Sequence, residues 1–340
     1  MSPPRAGYQP AIPSYWTQLA TEQFPPSALV DQADAAERAG FDGLNVSDHY
    51  QPWWEPGHSG QAWTLLGAIG QATDRILLGT GVTAPVHRYH PAVVAQFAVT
   101  VEELFPARAF LGIGSGESLN ESPCGMDWPS VGEQVDRMQE ALEIITRLLD
   151  GERLDHEGRF FRTKAAFLHT RGQRRPPIYV SAFGPRAARL AARYGDGVWT
   201  LADPEMAPGV IDAYRGACED AGGEPGEVIL QTGFSWALED DAALEGARVW
   251  KATSPSEYFT DDWHEPTAMY ERAEGEVSDE QFKQQYIVSS DPQAHVERVR
   301  EVEKLGATVV CLQNASGADP LGALGVYGER VLPALRAVHA

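Results

Sequence analysis

The feature that most constrains the fold of this chain is a regular alternation of short apolar runs with longer amphipathic segments. Runs such as residues 76–82 and 177–181 lack the polar alternation of a half-exposed strand, which is typical of strands buried on both faces. Each run is followed by a segment with helical periodicity, and residues 132–149 carry apolar side chains on one face. Eight such units predict an α/β protein with a (β/α)8 TIM barrel.

Two segments interrupt this alternation, one before the fifth strand and one after the seventh. They span residues 150–176 and 252–286, and we interpret them as insertions in a single domain that covers residues 1–340. Long excursions of this kind are typical of binding loops and lids. Tyr15 and Trp16 are expected in a loop after the first strand. The eight strands are predicted at residues 7–12, 43–47, 76–82, 110–114, 177–181, 197–200, 228–237 and 308–313.

The composition narrows the classes of function. A formal net charge of -21 argues against nucleic acid and against anionic membranes as partners. The chain has three cysteines and no CxxC pair, which predicts reduced thiols in the cytosol and no zinc site. No apolar run approaches the length of about 18 residues that a membrane span needs, and the N-terminus lacks the apolar core of a signal peptide. We therefore expect a cytoplasmic protein.

Asp48, His49 and Trp53 follow the second predicted strand directly. In α/β barrels, active sites form at the C-terminal ends of the strands. Asp48 can accept hydrogen bonds, His49 can transfer a proton near neutral pH, and Trp53 offers a flat apolar wall. The alternative is that this Asp-His pair only stabilises a loop or caps a helix.

Glycine-rich and polar segments follow three further strands. Gly81 and Val82 end the third strand, where glycine permits the close approach of a ring. Glu117 lies in a Gly-Ser turn after the fourth strand, and Arg186 lies at a helix N-terminus after the fifth. Free backbone N–H groups at such a terminus bind anions. Each segment can alternatively be an ordinary turn, and Glu117 a solvated carboxylate.

Together, these strand ends predict one anionic, aromatic ligand that lies across them, with His49 and Glu117 available for proton transfer. His87 and His90 have no third ligand nearby in the sequence, so no metal site is predicted. A non-catalytic barrel that binds a flavin-like ligand is an alternative from another class. A pure binder, however, needs neither His49 nor Glu117.

Six motifs occur in an order that is specific in combination. They are SDHYQPW at 47–53, RYHPAV at 88–93, GSGESLNE at 114–121, GPRAA at 184–188, GDG at 195–197 and SDP at 290–292. On these motifs the chain resembles the luciferase-like flavin and deazaflavin oxidoreductases over nearly its whole length. Within them it is most similar to the F420-dependent branch that includes the actinobacterial glucose-6-phosphate dehydrogenases.

The resemblance implies coenzyme F420 as the cofactor, with FMN as the alternative, and a homodimer as the assembly. It implies that His49 acts beside the alcohol, that Trp53 packs against the same centre, and that Glu117 lies beside the reduced end of the ring. It also implies a non-proline cis peptide at Gly81–Val82. The implied cofactor contacts are Asp48, Gly81, Val82, Thr83, Ser115, Gly116, Asn120, Phe183, Gly184, Arg186 and Ala187.

The chain departs from this resemblance where the glucose-6-phosphate enzymes carry basic residues for the sugar phosphate. Those positions fall approximately on Asp203, near Thr260 and on Gln285, none of which is cationic. A phosphate without charge-assisted contacts beside Asp203 would be repelled. Extra tryptophans, at positions 199, 236 and 263, are expected around the mouth and suit a neutral sugar or apolar alcohol. The expected substrate contacts are Trp16, Thr200, Asp203 and Gln285.

We therefore predict an F420-dependent dehydrogenase that oxidises a non-phosphorylated, glucose-like sugar or another alcohol by hydride transfer to C5 of the deazaflavin. In this prediction His49 takes the hydroxyl proton, Trp53 shields the developing charge, and Glu117 manages the proton at the reduced ring. Two alternatives keep the fold and change the chemistry. They are an FMN-dependent monooxygenase and an F420H2-dependent reductase.

Overall fold

The strands form a closed parallel barrel surrounded by helices, as the sequence predicted. The computed structural model describes residues 13–337, so the first strand predicted at residues 7–12 lies outside the described residues. The strands are β1 (Ser14–Leu19), β2 (Gly43–Val46), β3 (Leu77–Thr83), β4 (Ala109–Ile113), β5 (Leu154–Glu157), β6 (Arg162–Ala166), β7 (Ile178–Ser181), β8 (Gly197–Leu201), β9 (Glu227–Ser235), β10 (Tyr286–Val288) and β11 (Val309–Asn314).

The barrel sheet runs in the order β10-β9-β11-β1-β2-β3-β4-β7-β8, and β8 pairs with β9 to close it. The strand that pairs with β9 differs between its two ends. Its lower part, residues 227–231, pairs with β8, whereas its upper part, residues 233–235, pairs with β10. The short strand β10 therefore joins the wall of the barrel only near the mouth, which is formed by the C-terminal ends of the strands.

Helices pack around the outside of the barrel. Several begin with proline in the first turn, where the missing N–H costs no hydrogen bond. The helices are α1 (Pro26–Ala39), α2 (Ala62–Ala72), α3 (Pro91–Leu104), α4 (Ser118–Glu121), α5 (Val131–Leu149), α6 (Pro185–Tyr194), α7 (Ala207–Asp220), α8 (Asp240–Ala247), α9 (Pro266–Glu276), α10 (Asp279–Gln285), α11 (Pro292–Lys304), α12 (Pro320–Val326) and α13 (Leu332–Ala337). In the described part of the chain, no helix has the length and apolar character that crossing a membrane requires.

An aromatic plug fills the lower half of the barrel. The plug consists of Trp16, Phe110, Tyr179 and Trp199, with the Trp16 and Phe110 rings stacked at 4.6 Å between centroids. Trp16 is only 2 % exposed. The placement of Tyr15 and Trp16 in a loop was therefore wrong, because both lie on β1. Trp16 and Trp199 close the floor of the barrel instead of lining its mouth.

The two predicted insertions have regular structure of their own. The segment 150–176 contains the antiparallel hairpin of β5 and β6. The segment 252–286 contains α9 and α10 and short 3-10 turns. The helix α10 starts with a capping box between Ser278 and Gln281, a local signal that the sequence carried. The single domain and the homodimer stay predictions.

Candidate active site

The ends of β2 and β3 bring Asp48 into a network of hydrogen bonds. One carboxylate oxygen of Asp48 accepts a hydrogen bond from Thr83 Oγ1 at 2.8 Å, and the other accepts one from the Tyr89 hydroxyl at 3.3 Å. Burial, and then the charge of Asp48, raise the pKa of Tyr89 and keep it a donor. Asp48 is therefore held in one orientation at the mouth.

Arg88 completes this network and was not among the predicted site residues. Its guanidinium lies 3.5 Å from Asp48 and 3.3 Å from Glu121, and its backbone N–H donates to Glu121 at 3.0 Å. All three groups are buried or nearly so. Burying unpaired charges is costly, so the arginine and the two carboxylates stabilise one another. The signal was present, since Arg88 opens the RYHPAV motif.

His49 lies between two carboxylates. Its Nδ1 is 2.6 Å from Glu22 Oε1, and its Nε2 is 3.4 Å from Glu117 Oε2. The angle between His49 Nδ1 and Glu22 Oε1 does not suit a hydrogen bond, so this close contact is an ion pair. Glu22 is fully buried in the loop after β1. The sequence analysis missed it, because no motif distinguishes Glu22 among the 48 acidic residues.

The two carboxylates control the protonation of His49. Burial lowers the pKa of His49, but the charges of Glu22 and Glu117 outweigh it and raise the pKa to about 9. Burial raises the pKa of Glu117, and the charge of His49 opposes this rise. The free site therefore holds a proton on His49 at neutral pH and can release it as the pH rises towards 9.

An aromatic wall connects three elements beside His49. The Trp53 ring lies edge-on to His49 at 5.9 Å between centroids. Phe259, in the second insertion, lies 5.4 Å from Trp53 and 5.6 Å from Phe183. Phe183 is 46 % exposed although it is apolar, so one face of this wall is open to a ligand. Phe259 was another residue that the sequence did not single out.

The predicted cofactor contacts near β4 surround Glu117. Gly116 has φ +87, a left-handed conformation that favours glycine. Asn120 Nδ2 donates to Glu117 Oε2 at 3.1 Å, and its Oδ1 accepts from the Tyr50 N–H at 2.8 Å. Asn120 thus orients Glu117 in this structure. Ser115 lies beside them, half-buried in the same turn.

The N-terminus of α6 offers an open anion site. Gly184 is the N-cap residue, without a side chain to satisfy the first-turn N–H groups. A Cβ added at Gly184 would meet no atom within 4 Å, so space is available there. Arg186, two residues on, binds the Asp136 carboxylate and the Gly132 carbonyl. Ala187 packs beneath it against the core. Near the end of β3, two strands away from β7 in the sheet, the Gly81–Val82 peptide is cis, as the resemblance implied.

Three of the four predicted substrate residues have other contacts or orientations. Asp203 closes the turn that precedes α7, because its Oδ1 accepts from the backbone N–H groups of Glu205 and Met206. Thr200 follows the inward-facing Trp199, so it faces the helices and is 1 % exposed. Trp16 belongs to the plug. The expected substrate contacts by Thr200 and Trp16 therefore have no support in the geometry.

The fourth predicted substrate residue, Gln285, is exposed, and its side chain accepts a hydrogen bond from Ser254 Oγ at 2.7 Å. Two of the nearby cations are engaged in ion pairs, whereas Lys283 is exposed. Lys251 Nζ lies 2.7 Å from Asp279, and Arg272 binds Glu257 and Glu276. Neither Lys251 nor Arg272 is a free cation for a phosphate.

Within residues 13–337 there is no cluster of three His, Cys, Asp or Glu side chains that could hold a metal ion.

Comparisons with known proteins agree with this geometry. The family model of luciferase-like monooxygenases matches residues 12–309. An F420-dependent glucose-6-phosphate dehydrogenase from Nakamurella multipartita is 38 % identical, with 99 % of each chain covered. An F420-dependent hydroxymycolic acid dehydrogenase from Mycobacterium tuberculosis is 37 % identical, over 96 % of this chain and 90 % of the other. The structure of an F420-dependent secondary alcohol dehydrogenase with an F420–acetone adduct superposes with a TM-score of 0.91 at 30 % identity, covering 96 % of this chain and 99 % of that one.

Proposed function

The chain belongs to the luciferase-like monooxygenase family, and from this membership we propose that it is an F420-dependent oxidoreductase acting on a CH–OH group. The observation that carries the proposal is the position of His49 at the mouth, between the buried Glu22 and the half-buried Glu117. A base held between two carboxylates suits the removal of a hydroxyl proton. The names of the relatives and of the superposed structure support the same chemistry.

The residues at the mouth fit a cofactor with a flat ring and an anionic tail. Asp48 and the cis Gly81–Val82 peptide lie where a ring system would rest, and Phe183 offers an exposed aromatic face. The open N-terminus of α6 at Gly184 fits a phosphate. When bound, coenzyme F420 supplies a deazaflavin that exchanges a hydride with the carbinol carbon of the substrate.

The chain's own residues divide the proton chemistry between them. Glu22 faces Nδ1 of His49, which favours the tautomer that leaves Nε2 free to accept the hydroxyl proton. Glu117 lies within 3.4 Å of the same Nε2 and can take part in moving that proton away. Trp53 and Phe259 exclude water from this centre. Because His49 must first be neutral, oxidation of the alcohol is expected to speed up as the pH rises towards 9.

The substrate that we propose is a neutral alcohol, either a sugar without a phosphate or another alcohol. Asp203 is anionic and closes the turn before α7, and Lys251 and Arg272 are neutralised by carboxylates. A phosphate dianion at this rim would have to compete with those carboxylates for Lys251 and Arg272, and the exposed Lys283 is screened by solvent and salt. Glucose 6-phosphate is the competing candidate, because relatives that cover nearly the whole chain are named for it.

The test uses purified protein with F420, and follows the loss of F420 absorbance with glucose, glucose 6-phosphate and simple secondary alcohols. We expect kcat/KM for glucose to equal or exceed that for glucose 6-phosphate. A strong preference for the phosphate would refute the neutral substrate and leave the F420 chemistry intact.

A parallel assay with FMN distinguishes the alternative from the same family. Tight FMN binding with oxygen consumption, and no turnover with F420, would instead support a monooxygenase. This alternative is kept because the family model itself is named for monooxygenases.

A further inference from the structure

A layer of amide side chains lies in the barrel directly above the aromatic plug. We call it the amide layer; its members are Gln18, Asn45, Gln231 and Gln313. Their neighbours along the strands, such as Leu19 and Leu312, belong to the core between barrel and helices. Side chains alternate along a strand, so the amides point inward. Gln18 and Gln313 are aligned on the paired strands β1 and β11, two residues above Trp16 and Cys311 of the floor.

Two hydrogen bonds, one made by Gln18 and one by Gln313, connect the amide layer to the surroundings of the active site. Gln18 Nε2 donates to Ser47 Oγ at 2.7 Å, and Ser47 directly precedes Asp48 and His49. Gln313 Oε1 accepts from the Tyr286 hydroxyl at 2.9 Å. Burial raises the pKa of Tyr286, and the charge of Glu22 contributes, so Tyr286 lies close to the carboxylate behind His49. The amides therefore lie beside the proposed base.

The hydrogen bonding of the amide layer is incomplete. Gln18 Oε1 is buried without a hydrogen-bond partner, in a side chain that is 4 % exposed. A buried carbonyl oxygen without a donor is unfavourable, and such groups usually receive a hydrogen bond from water or ligand. Because the plug closes the barrel below, a donor can reach Gln18 only from the mouth.

The position and charge of the layer restrict what that donor can be. The predicted cofactor residues lie at the ends of β2, β3, β4 and β7, whereas Gln18 and Gln313 lie on β1 and β11, the next two strands of the barrel beyond β2. The strand β10 brings Tyr286 to the same side. Amides donate and accept hydrogen bonds, as hydroxyl groups do, and they carry no charge to bind a phosphate. These groups suit a neutral ligand with several hydroxyls.

We propose that Gln18 and Gln313 form a subsite for a second hydroxyl of the substrate, so that the alcohol oxidised at His49 is a polyol such as a sugar. This inference rests on the proposed function and narrows it. A simple secondary alcohol has one hydroxyl, which His49 takes, and it would leave Gln18 Oε1 without a donor. A site built to bind a hydroxyl discriminates strongly against compounds that lack it.

The experiment compares D-glucose with cyclohexanol as substrates of the F420-loaded protein and of two variants, Gln18→Leu and Gln313→Leu. We expect kcat/KM for glucose to fall by about tenfold or more in each variant, mainly through KM, because the lost hydrogen bonds bind substrate. The value for cyclohexanol should change by less than about twofold. Gln32→Leu is the matched control, since Gln32 is a buried amide without hydrogen-bond partners on α1, outside the barrel.

A binding measurement makes the test independent of turnover. The probe is 1,5-anhydroglucitol, a polyol that lacks the anomeric hydroxyl. It should raise the Tm of the F420-loaded wild type and of Gln32→Leu, and it should not raise the Tm of Gln18→Leu. This readout also identifies a variant that has merely lost its fold.

The possible outcomes separate the inference from the proposed function. Equal losses for glucose and cyclohexanol would show a structural role and overturn the subsite. Wild-type protein that oxidises cyclohexanol but no polyol would also overturn the subsite, while the proposed function would stand. Failure to oxidise any alcohol with F420 bound would overturn both. Polyol oxidation that is lost selectively in Gln18→Leu and Gln313→Leu supports both.

Discussion

The two sides of the barrel mouth are built from different chemistry. On the side of β2, β3 and β4, charged groups interlock, and Arg88 neutralises both Asp48 and Glu121 in a buried cluster. On the side of β1, β10 and β11, the strands themselves present neutral groups, namely the amides Gln18 and Gln313 and the phenol Tyr286, and the carboxylate of Glu22 lies above them in the loop after β1. The charged side has little freedom to change, because losing one partner leaves a buried charge unpaired. The neutral side can change with the substrate.

His49 stands at the boundary between these two sides. One of its ring nitrogens faces Glu22, and the other faces Glu117. In our proposal, charge sets the chemistry of His49, while neutral groups select the molecule that reaches it. Relatives of this chain are named for a sugar phosphate, a hydroxymycolic acid and a secondary alcohol, so the fold is found with several alcohol substrates.

The largest effect on kcat should come from removing the side chain of His49, which lies at the boundary between the two sides. We expect His49→Ala to reduce kcat by about 100-fold or more, because general-base catalysis of this kind contributes about 10²–10⁴-fold. The dissociation constant for F420, measured by fluorescence, should stay near that of the wild type, since the Asp48 cluster is untouched. His169→Ala, at an exposed position in the first insertion, is the control. Near-normal turnover by His49→Ala would show that another group removes the proton.

A smaller effect should come from altering the charge behind His49. Glu22→Gln keeps the shape and removes one of the two carboxylates that raise the pKa of His49. The pH at which kcat rises should then move lower by about one unit. An unshifted pH profile with lower kcat at every pH would point to a packing role for Glu22.

The same variant has a consequence for stability. In the wild type, the raised pKa of His49 contributes stability that is complete below the unfolded pKa of about 6.5 and is lost as the pH rises through about 9. Glu22→Gln should therefore weaken the dependence of the free energy of unfolding on pH within this window. Denaturant titrations at pH 6 and pH 9.5 measure the difference.

The smallest effect should come from adding charge to the neutral rim. The double variant Asp203→Lys with Gln285→Arg should raise kcat/KM for glucose 6-phosphate by roughly tenfold, and salt should reduce the gain because both positions are exposed. Asp203→Ser is the control, since a serine hydroxyl can still accept from the turn before α7 without adding a cation. If phosphate preference does not change, these two positions do not face the substrate.

Local motifs predicted the barrel, and on the charged side of the mouth they indicated Asp48 but neither Arg88 nor Glu121. The strand–helix alternation predicts the fold because each buried strand needs its own apolar run. The motif containing Asp48 and His49 lies directly at a strand end, and the cis Gly81–Val82 peptide was implied by the resemblance and confirmed. The roles proposed for these residues remain to be measured.

The predictions for Trp16 and Thr200 depended on the register of a strand, that is, on which of its side chains face into the barrel. Trp16 was expected at the mouth, but β1 starts at Ser14, which places Trp16 in the floor of the barrel. A strand has a period of two, so its first residue decides which side chains face inward. The same argument turns Thr200 towards the helices. The second insertion also supplied an extra strand, β10, that its irregular pattern did not indicate.

The sequence by itself determined the barrel, the strand ends that carry chemistry, and the pair His49 and Glu117, because these depend on hydrophobic period and short contiguous motifs. Only the tertiary structure decided that Glu22 lies behind His49 and that Gln18 and Gln313 meet across β1 and β11. Those contacts join residues far apart in the chain, and they exist because a closed barrel brings its strand ends around one cavity. In our proposal, that arrangement also selects the substrate.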